Sequence, residues 1–185
     1  MAKRHATVGG NGPAYRLRSD RDGRSEKLSP SGPDRYRYTE HRDYLFALWD
    51  TLDLGNRVVL VLDDWGAVLG IDWARHNSQR VQGIVHMETV AAPLNWSDLP
   101  EQAHPLFKAL RSPEGERLVL QENIFIEKIL PQAVIRQLTD EELNYYGQPF
   151  RNSGEDRRPM LAWPRSLPIA TSRPEAGCLL DLVCV

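Results

Sequence analysis

Residues 58–70 have the sequence VVLVLDDWGAVLG, an apolar run that stops abruptly at two adjacent carboxylates, Asp63 and Asp64. A run as apolar as VVLVL is typical of a strand that is buried on both faces inside a parallel sheet. In open α/β sheets, nucleophiles and ligand-binding side chains lie at the carboxyl ends of strands, often on sharp strand-to-helix turns. The stretch therefore predicts a buried strand over 58–62 and a functional turn directly after it.

The composition is that of one soluble globular domain. The 185 residues include 41% hydrophobic and 26% charged residues, and the formal charge of −2 favours neither nucleic acid nor an anionic membrane as a partner. No apolar run approaches the roughly 20 residues of a membrane span, and no signal peptide is predicted at the N-terminus. The two cysteines, Cys178 and Cys184, fit neither a disulfide framework nor a metal motif, so the cytoplasm is the expected compartment.

The segments on both sides of this strand predict alternating helices and strands. A helix over 39–54, capped by Thr39 and ended by Gly55, precedes the strand, and a helix over 67–76 follows it. The sequence VQGIVHM, residues 81–87, predicts a second buried strand. Strand, helix and strand at these lengths predict a right-handed parallel unit.

The chain beyond the second strand predicts a mostly helical insertion. Residues 118–130 are apolar at helical spacing and stop at Pro131, and Thr139 with Glu142 forms a capping box for a further helix. Residues 157–170 alternate prolines with apolar residues. A helical insertion placed after a strand commonly builds a lid over an α/β active site, and we expect such a lid here.

Asp64 lies in the middle of the predicted strand-to-helix turn, and Gly66 supplies the small residue that a nucleophile elbow needs against its helix. The alternative is that Asp64 caps the following helix, as aspartate often does. Phosphatases of the haloacid-dehalogenase class also place an aspartate after an apolar strand, but they need a second aspartate two residues later. That position holds Trp65 when counted from Asp63 and Gly66 when counted from Asp64, so this class is excluded.

The stretch DDWGAVLG, followed by IDWARHNSQRVQGIVHMET, closely resembles the haloalkane dehalogenases of the α/β-hydrolase fold. The resemblance extends to KLSPSGPDRYRY upstream and to ENIFIEKILPQAVIRQLTDEELNYY and RRPMLAWPRSLPIA downstream, from about Gly23 to Ala170. It implies an α/β fold, with a partial α/β-hydrolase core of parallel strands and a nucleophile elbow, a mostly helical cap, and a sheet that is incomplete at both ends. The implied organisation is a divergent, disordered N-terminus (1–22), the central part of the core (23–92), the cap (93–170) and a divergent tail (171–185).

The resemblance also implies a mechanism. In the family an aspartate attacks the carbon that bears the halogen, which gives an alkyl-enzyme ester and free halide. A water activated by a histidine cleaves the ester, an acidic residue orients that histidine, and no cofactor or metal takes part. Carried over by motif, Asp64 is the nucleophile, Trp65 donates its indole N–H to the halide, and Glu88 is the acid. The matching residues of the substrate pocket are Phe107, Phe125, Pro164 and Leu167. The implied partner is a small apolar halogenated substrate, and the family predicts a monomer.

The sequence departs from the family in several places. The H-G-N-P segment, whose asparagine is the second halide donor, does not occur, and none of the five histidines lies in the motif of the base. His86 is the histidine closest in sequence to a functional residue, and we interpret it as structural, inside a buried strand. Asp63 stands where the family usually has histidine, and like-charge repulsion from Asp63 predicts a raised pKa for Asp64.

These departures leave several hypotheses open. The divergent segments 1–22 and 171–185 indicate a truncated or frame-shifted gene product, with impaired catalysis and a tendency to aggregate. One alternative is a non-catalytic remnant that binds small apolar ligands through its lid. Another is a different α/β-hydrolase activity, such as epoxide hydrolysis, although Trp65 directly after the nucleophile favours halide chemistry.

Overall fold

The computed structural model describes residues 3–5, 14–16, 26–52, 54–89 and 94–169. Over these residues the helices and strands, in chain order, are β1 (Lys3–His5), β2 (Ala14–Arg16), α1 (Tyr38–Thr51), β3 (Val58–Asp63), α2 (Asp64–His76), β4 (Val81–Met87), α3 (His104–Leu110), α4 (Leu130–Ala133), α5 (Asp140–Gly147) and α6 (Arg158–Ser166). Short 3-10 turns and two π-helical segments, Glu116–Gln121 and Phe125–Ile129, connect them.

The centre of the fold is a strand–helix–strand unit. β3 and β4 pair in parallel, and Asp63 at the end of β3 lies opposite Met87 at the end of β4. Helix α2 connects the two strands and packs against β3. Both predicted strands and the helix between them are therefore confirmed, but α2 begins at Asp64, three residues before the predicted start.

Helix α1 begins and ends at residues other than those predicted. Its N-cap is Arg37, which makes no side-chain capping bond, so the prediction that Thr39 caps the helix is wrong. The side chain of Glu40 serves this end of the helix instead, because its carboxylate accepts a hydrogen bond of 2.6 Å from the N–H of Tyr36. The helix ends before Gly55, which lies in the following turn with a φ of +65°, a conformation that glycine adopts without strain.

The two-stranded sheet is covered on one face only, within the part of the chain that the structure describes. Leu60 and Leu62 of β3 are buried in a core that includes Trp49 of α1 and Trp73 of α2. Residues that lie opposite one another in the register have their side chains on the same face of the sheet. The register therefore shows which residues lie on the uncovered face, opposite to Leu60 and Leu62. This bare face consists of Val59, Val61, Val85 and Met87, which are 52–70% exposed. The prediction that both strands are buried on both faces is wrong, because the helices α1 and α2 pack against one side of the pair.

The chain beyond β4 forms a helical cap with a core of its own, in which Leu110 and Leu161 are almost fully buried. The predicted capping box is confirmed: Thr139 Oγ1 accepts a hydrogen bond from the N–H of Glu142, whose carboxylate accepts one from the N–H of Thr139. The helical turns do not stop at Pro131 as predicted. That proline occupies the first turn of α4. Backbone N–H groups in the first turn have no hydrogen-bond partner within the helix, so the missing N–H of proline does not interrupt it.

The two ends of the chain are described only in part. Strands β1 and β2 pair as a small antiparallel sheet within the segment 1–22, for which the sequence predicts disorder. The rest of that segment and the divergent tail 171–185 lie outside the described residues. No helix of the described ranges is long and apolar enough to cross a membrane.

Candidate active site

Two acidic residues follow the paired strand ends. Asp64 comes directly after Asp63, and Glu88 comes directly after Met87, the residue opposite Asp63 in the parallel register. Because the carboxyl ends of parallel strands lie at one edge of the sheet, Asp64 and Glu88 share that edge. Both adopt the left-handed backbone conformation, with φ of +47° at Asp64 and +49° at Glu88. Such angles are costly for residues other than glycine, and they concentrate at functional sites.

Asp64 does not cap the helix that it begins. The N-cap of α2 is Asp63, whose backbone is extended and whose side chain makes no capping hydrogen bond. The alternative interpretation of Asp64 as a helix cap is therefore wrong. The chain passes from strand into helix at Asp64 itself, which is the backbone geometry of a strand-to-helix elbow.

The electrostatic surroundings of Asp64 disfavour its charged form. Partial burial is the main reason that the pKa of this carboxyl is raised, and the negative charges of Asp63 and Glu88 raise it further. A hydrogen bond from the backbone N–H of Trp65 opposes the shift. The predicted repulsion from Asp63 is confirmed, as a smaller contribution than burial.

Trp65, the second residue of α2, is half-buried in an aromatic cluster. Its ring centroid lies 4.8 Å from that of Trp163 in α6 and 6.4 Å from that of Tyr38 in α1. His41 of α1 stacks on Trp163, with centroids 4.2 Å apart and ring planes inclined by 18°. Trp163 and His41 are not among the predicted site residues, because no local sequence pattern indicates that α6 lies against the start of α2.

Of the two glycines of α2, Gly70 packs closely against β3 and Gly66 does not. A Cβ atom added at Gly66 would meet nothing within 4 Å, so the predicted need for a small residue at that position is not found in the structure. A Cβ atom at Gly70 would lie only 2.5 Å from Cδ2 of Leu62. Gly70 therefore lets the helix that carries Asp64 and Trp65 pack directly onto the strand.

The predicted pocket residues all lie in the cap. Phe107 is on α3, Pro164 is near the end of α6, and Leu167 directly follows α6. Arg111 connects these three through the backbone. Its N–H donates to the carbonyl of Phe107 at 3.1 Å, and its Nη1 donates to the carbonyls of Pro164 and Leu167 at 2.9 Å each. Phe125, in the second π-helical segment, packs against the cap core.

Two clefts lie away from the strand ends. A cleft of about 740 Å³ separates residues 33–37 from the cap, and a cleft of about 400 Å³ lies within the cap, beside Asn123 and Arg157. Neither cleft is lined by Asp64 or Trp65, or by any predicted pocket residue. These clefts are therefore not the predicted substrate pocket.

His86 does not lie inside a buried strand, as the sequence predicts. Its side chain is exposed, and its Nδ1 lies 3.1 Å from Oγ1 of Thr89. The prediction fails because the core of α1 and α2 buries Leu60 and Leu62 of β3, while the end of β4 stays open.

Several curated haloalkane dehalogenases match the chain, and so does a coelenterazine h 2-monooxygenase of Renilla reniformis, which is 36% identical over 144 residues, 77% of this chain and 46% of that protein. A haloalkane dehalogenase of Sphingobium indicum is 60% identical over 148 residues, which make up 80% of this chain and 50% of that protein. A haloalkane dehalogenase of Mycolicibacterium smegmatis is 55% identical over 159 residues, 86% of this chain and 51% of that protein. This chain is a homologue of the haloalkane dehalogenases. It spans about half the length of the curated relatives that it matches. No protein-family model matches the chain.

The solved structures lead to the same conclusion about the fold. The crystal structure of the haloalkane dehalogenase DatA from Agrobacterium tumefaciens superposes with a TM-score of 0.82 at 32% identity, and the match covers 94% of this chain and 58% of that one. The predicted α/β-hydrolase fold is thereby confirmed. In this dehalogenase homologue, β3, α2 and β4 form part of the core, and the helices beyond β4 form the cap.

Proposed function

We propose that this dehalogenase homologue cleaves the carbon–halogen bond of small apolar haloalkanes, with Asp64 as the nucleophile. The observation that supports the proposal most strongly is the left-handed turn at Asp64, which comes at the carboxyl end of a parallel strand and directly before a tryptophan. In α/β folds this end of the sheet is where ligands bind. The turn brings a carboxylate and an indole donor to that position in consecutive residues.

The first step of the proposed reaction is a displacement at carbon. A carboxylate oxygen of Asp64 forms a bond to the carbon while the carbon–halogen bond breaks, and the halide leaves with the bonding electron pair. The product is an alkyl ester on Asp64. Trp65 donates its indole N–H to the departing halide, a role that suits an indole because it has a donor and no acceptor.

In the family, the second step is the hydrolysis of this ester to an alcohol by a water that a histidine activates, and Glu88 matches the acid that would orient such a histidine. The loss of such a base commonly costs several orders of magnitude in rate. None of the five histidines lies in the family's base motif. We therefore predict that this chain is alkylated once and does not turn over.

The substrate class follows from the residues that the resemblance assigns to the pocket. Phe107, Phe125, Pro164 and Leu167 offer apolar side chains to an alkyl chain, and neither step written above needs a metal or a cofactor. We also propose that the protein acts in the cytoplasm, on the strength of its composition; the monomer that the resemblance predicts belongs to the family, whereas for this chain we propose a tendency to aggregate.

Intact-mass spectrometry after incubation with 1-bromobutane tests the proposal. We expect one butyl adduct, on the peptide that contains Asp64, and no adduct in the Asp64→Asn variant. The matched control is Asp63→Asn, which changes the neighbouring residue and keeps the nucleophile. Because Asp63 raises the pKa of Asp64, this control should keep its alkylation rate to lower pH than the wild type does.

Three outcomes would contradict parts of the proposal. Adducts on Cys178 or Cys184 in place of Asp64 would indicate simple thiol chemistry and no nucleophile at the turn. Sustained release of bromide that Asp64→Asn abolishes would show that the chain does contain a base. Faster labelling of Asp64 by an epoxide of the same chain length would favour the epoxide hydrolase alternative.

A further inference from the structure

The indole of Trp65 is held between a helix of the core and a helix of the cap. On one side Tyr38 of α1 packs near it, and on another Trp163 of α6 lies 4.8 Å away, with the ring planes inclined by 32°. Trp65 and Trp163 pack together against Tyr38 and against the buried side chain of Val68. Besides Trp65, helix α2 contributes Val68 and Leu69 to this group, both about one turn further along the helix.

Tyr38 is fixed by a buried hydrogen bond. Its hydroxyl donates to Oδ2 of Asp72 at 2.9 Å, and both side chains are almost fully buried. Asp72 lies on α2, two turns after Trp65. Helix α2 therefore anchors the tyrosine that packs beside its own first turn.

Trp163 is supported by a stacked ring, and the segment that follows it is anchored by hydrogen bonds. His41 stacks on its ring, with centroids 4.2 Å apart. The segment just after Trp163 is held to the cap by Arg111, which donates to the carbonyls of Pro164 and Leu167. Burial lowers the pKa of His41 to about 4, so the ring that stacks on Trp163 is neutral at pH 7.

We propose that Trp163, held in place by His41, is a positioning residue that sets the orientation of the Trp65 indole for halide binding. The inference rests on the proposed function, since it assumes that Trp65 is the halide donor. A hydrogen-bond donor stabilises a developing anion only if it is pre-oriented, and a misplacement of about 1 Å can cost up to about a hundredfold in rate. Without Trp163, the side chain of Trp65 loses the ring that restricts its rotamers.

The test is the affinity for bromide, which is measured without any alkylation. Potassium bromide is titrated against the tryptophan fluorescence of the full chain, and Trp65→Phe identifies the saturable part of the quenching that belongs to Trp65. We expect Trp163→Leu to raise the Kd for bromide about tenfold, because it removes the stacked ring. We expect Trp163→Phe, which keeps an aromatic ring, to stay within about threefold of the wild type.

A second pair of variants tests the support of Trp163. His41→Phe preserves a stacked ring and should preserve the Kd, whereas His41→Ala should weaken bromide binding in the same direction as Trp163→Leu. Trp96→Phe is the control, because Trp96 packs against His104 and Lys108 and has no part in this stack. Far-UV circular dichroism of each variant verifies that its helices are intact.

The possible results separate the positioning role from the proposed function. If Trp163→Leu has intact helices and an unchanged Kd for bromide, the positioning role is overturned. It is also overturned if Trp163→Leu and Trp163→Phe lose equal affinity for bromide, because that result indicates a role in packing alone. A wild-type chain without saturable quenching overturns both proposals. A chain that binds bromide but is never alkylated at Asp64 overturns the nucleophile, while the Kd values still decide the role of Trp163.

Discussion

The bare face of the sheet predicts that the isolated chain associates with itself. Val59, Val61, Val85 and Met87 are each 52–70% exposed. Complete burial of one such side chain contributes about 1.5–3 kcal/mol, so covering the exposed part of these four would contribute roughly 5 kcal/mol. Whole domains are stable by only about 5–15 kcal/mol. We therefore expect the chain to be molten, to aggregate, or to depend on a complementing fragment that covers this face.

Open strand edges add to the same tendency. β3 and β4 pair only with each other among the described strands, so each has one edge whose backbone N–H and carbonyl groups have no partner strand. Unpaired edges flanked by apolar side chains are templates for edge-to-edge association. The apolar face and the open edges are adjacent, and one surface can therefore drive association by both means.

The perturbation is the double substitution Val61→Lys and Val85→Lys, which places two charges on the bare face. These residues lie opposite each other in the register, so any partner that covers the face has to bury both charges. Sedimentation velocity over a tenfold range of protein concentration should show association of the wild type and a monomer for the variant. The matched control is Ile135→Lys, since Ile135 is a fully exposed apolar residue of the cap, away from the sheet; it should associate like the wild type.

One result would refute this reasoning. A wild-type monomer with a sharp, reversible thermal transition and slowly exchanging amides at 58–62 would show that the bare face needs no cover. It would also make an active enzyme more plausible than a remnant.

Two further predictions concern stability. Gly70→Ala should destabilise the chain by about 1–2 kcal/mol, because overpacking against Leu62 outweighs the gain in helix propensity. The control Gly66→Ala should be neutral or stabilising. Equal urea midpoints of unfolding for the two variants would show that Gly70 has no packing role. The neutral His41, whose pKa falls from 6.5 to about 4 on folding, should make the free energy of unfolding decrease as the pH falls from 6.5 to 4, by at most about 3 kcal/mol. That stabilisation is fully present above pH 6.5. His41→Phe should abolish this dependence of the free energy of unfolding on pH, whereas the control His86→Phe, at an exposed position, should leave the dependence unchanged.

The sequence was sufficient to predict the elements that depend on local pattern. The apolar run that ends at Asp63 and Asp64 predicts a strand and a turn, and the structure has both, because a buried strand and its end are encoded within a few residues. The capping box at Thr139 is equally local. Burial was predicted poorly because it depends on which layers cover the sheet, so the exposure of Val61 and of His86 could not be inferred from their own segments.

The positions of the candidate site residues rest on contacts that do not involve the bare face. Asp64 and Glu88 share one edge because of the parallel register of β3 and β4, and helix α2, which begins at Asp64, packs closely on Leu62 of β3 at Gly70. Trp65 is held by rings from α1 and α6. All of these contacts lie within the described half of the dehalogenase fold. Covering the bare face would therefore change the stability and the solubility of the chain much more than it would change the arrangement of Asp64 and its neighbouring indole.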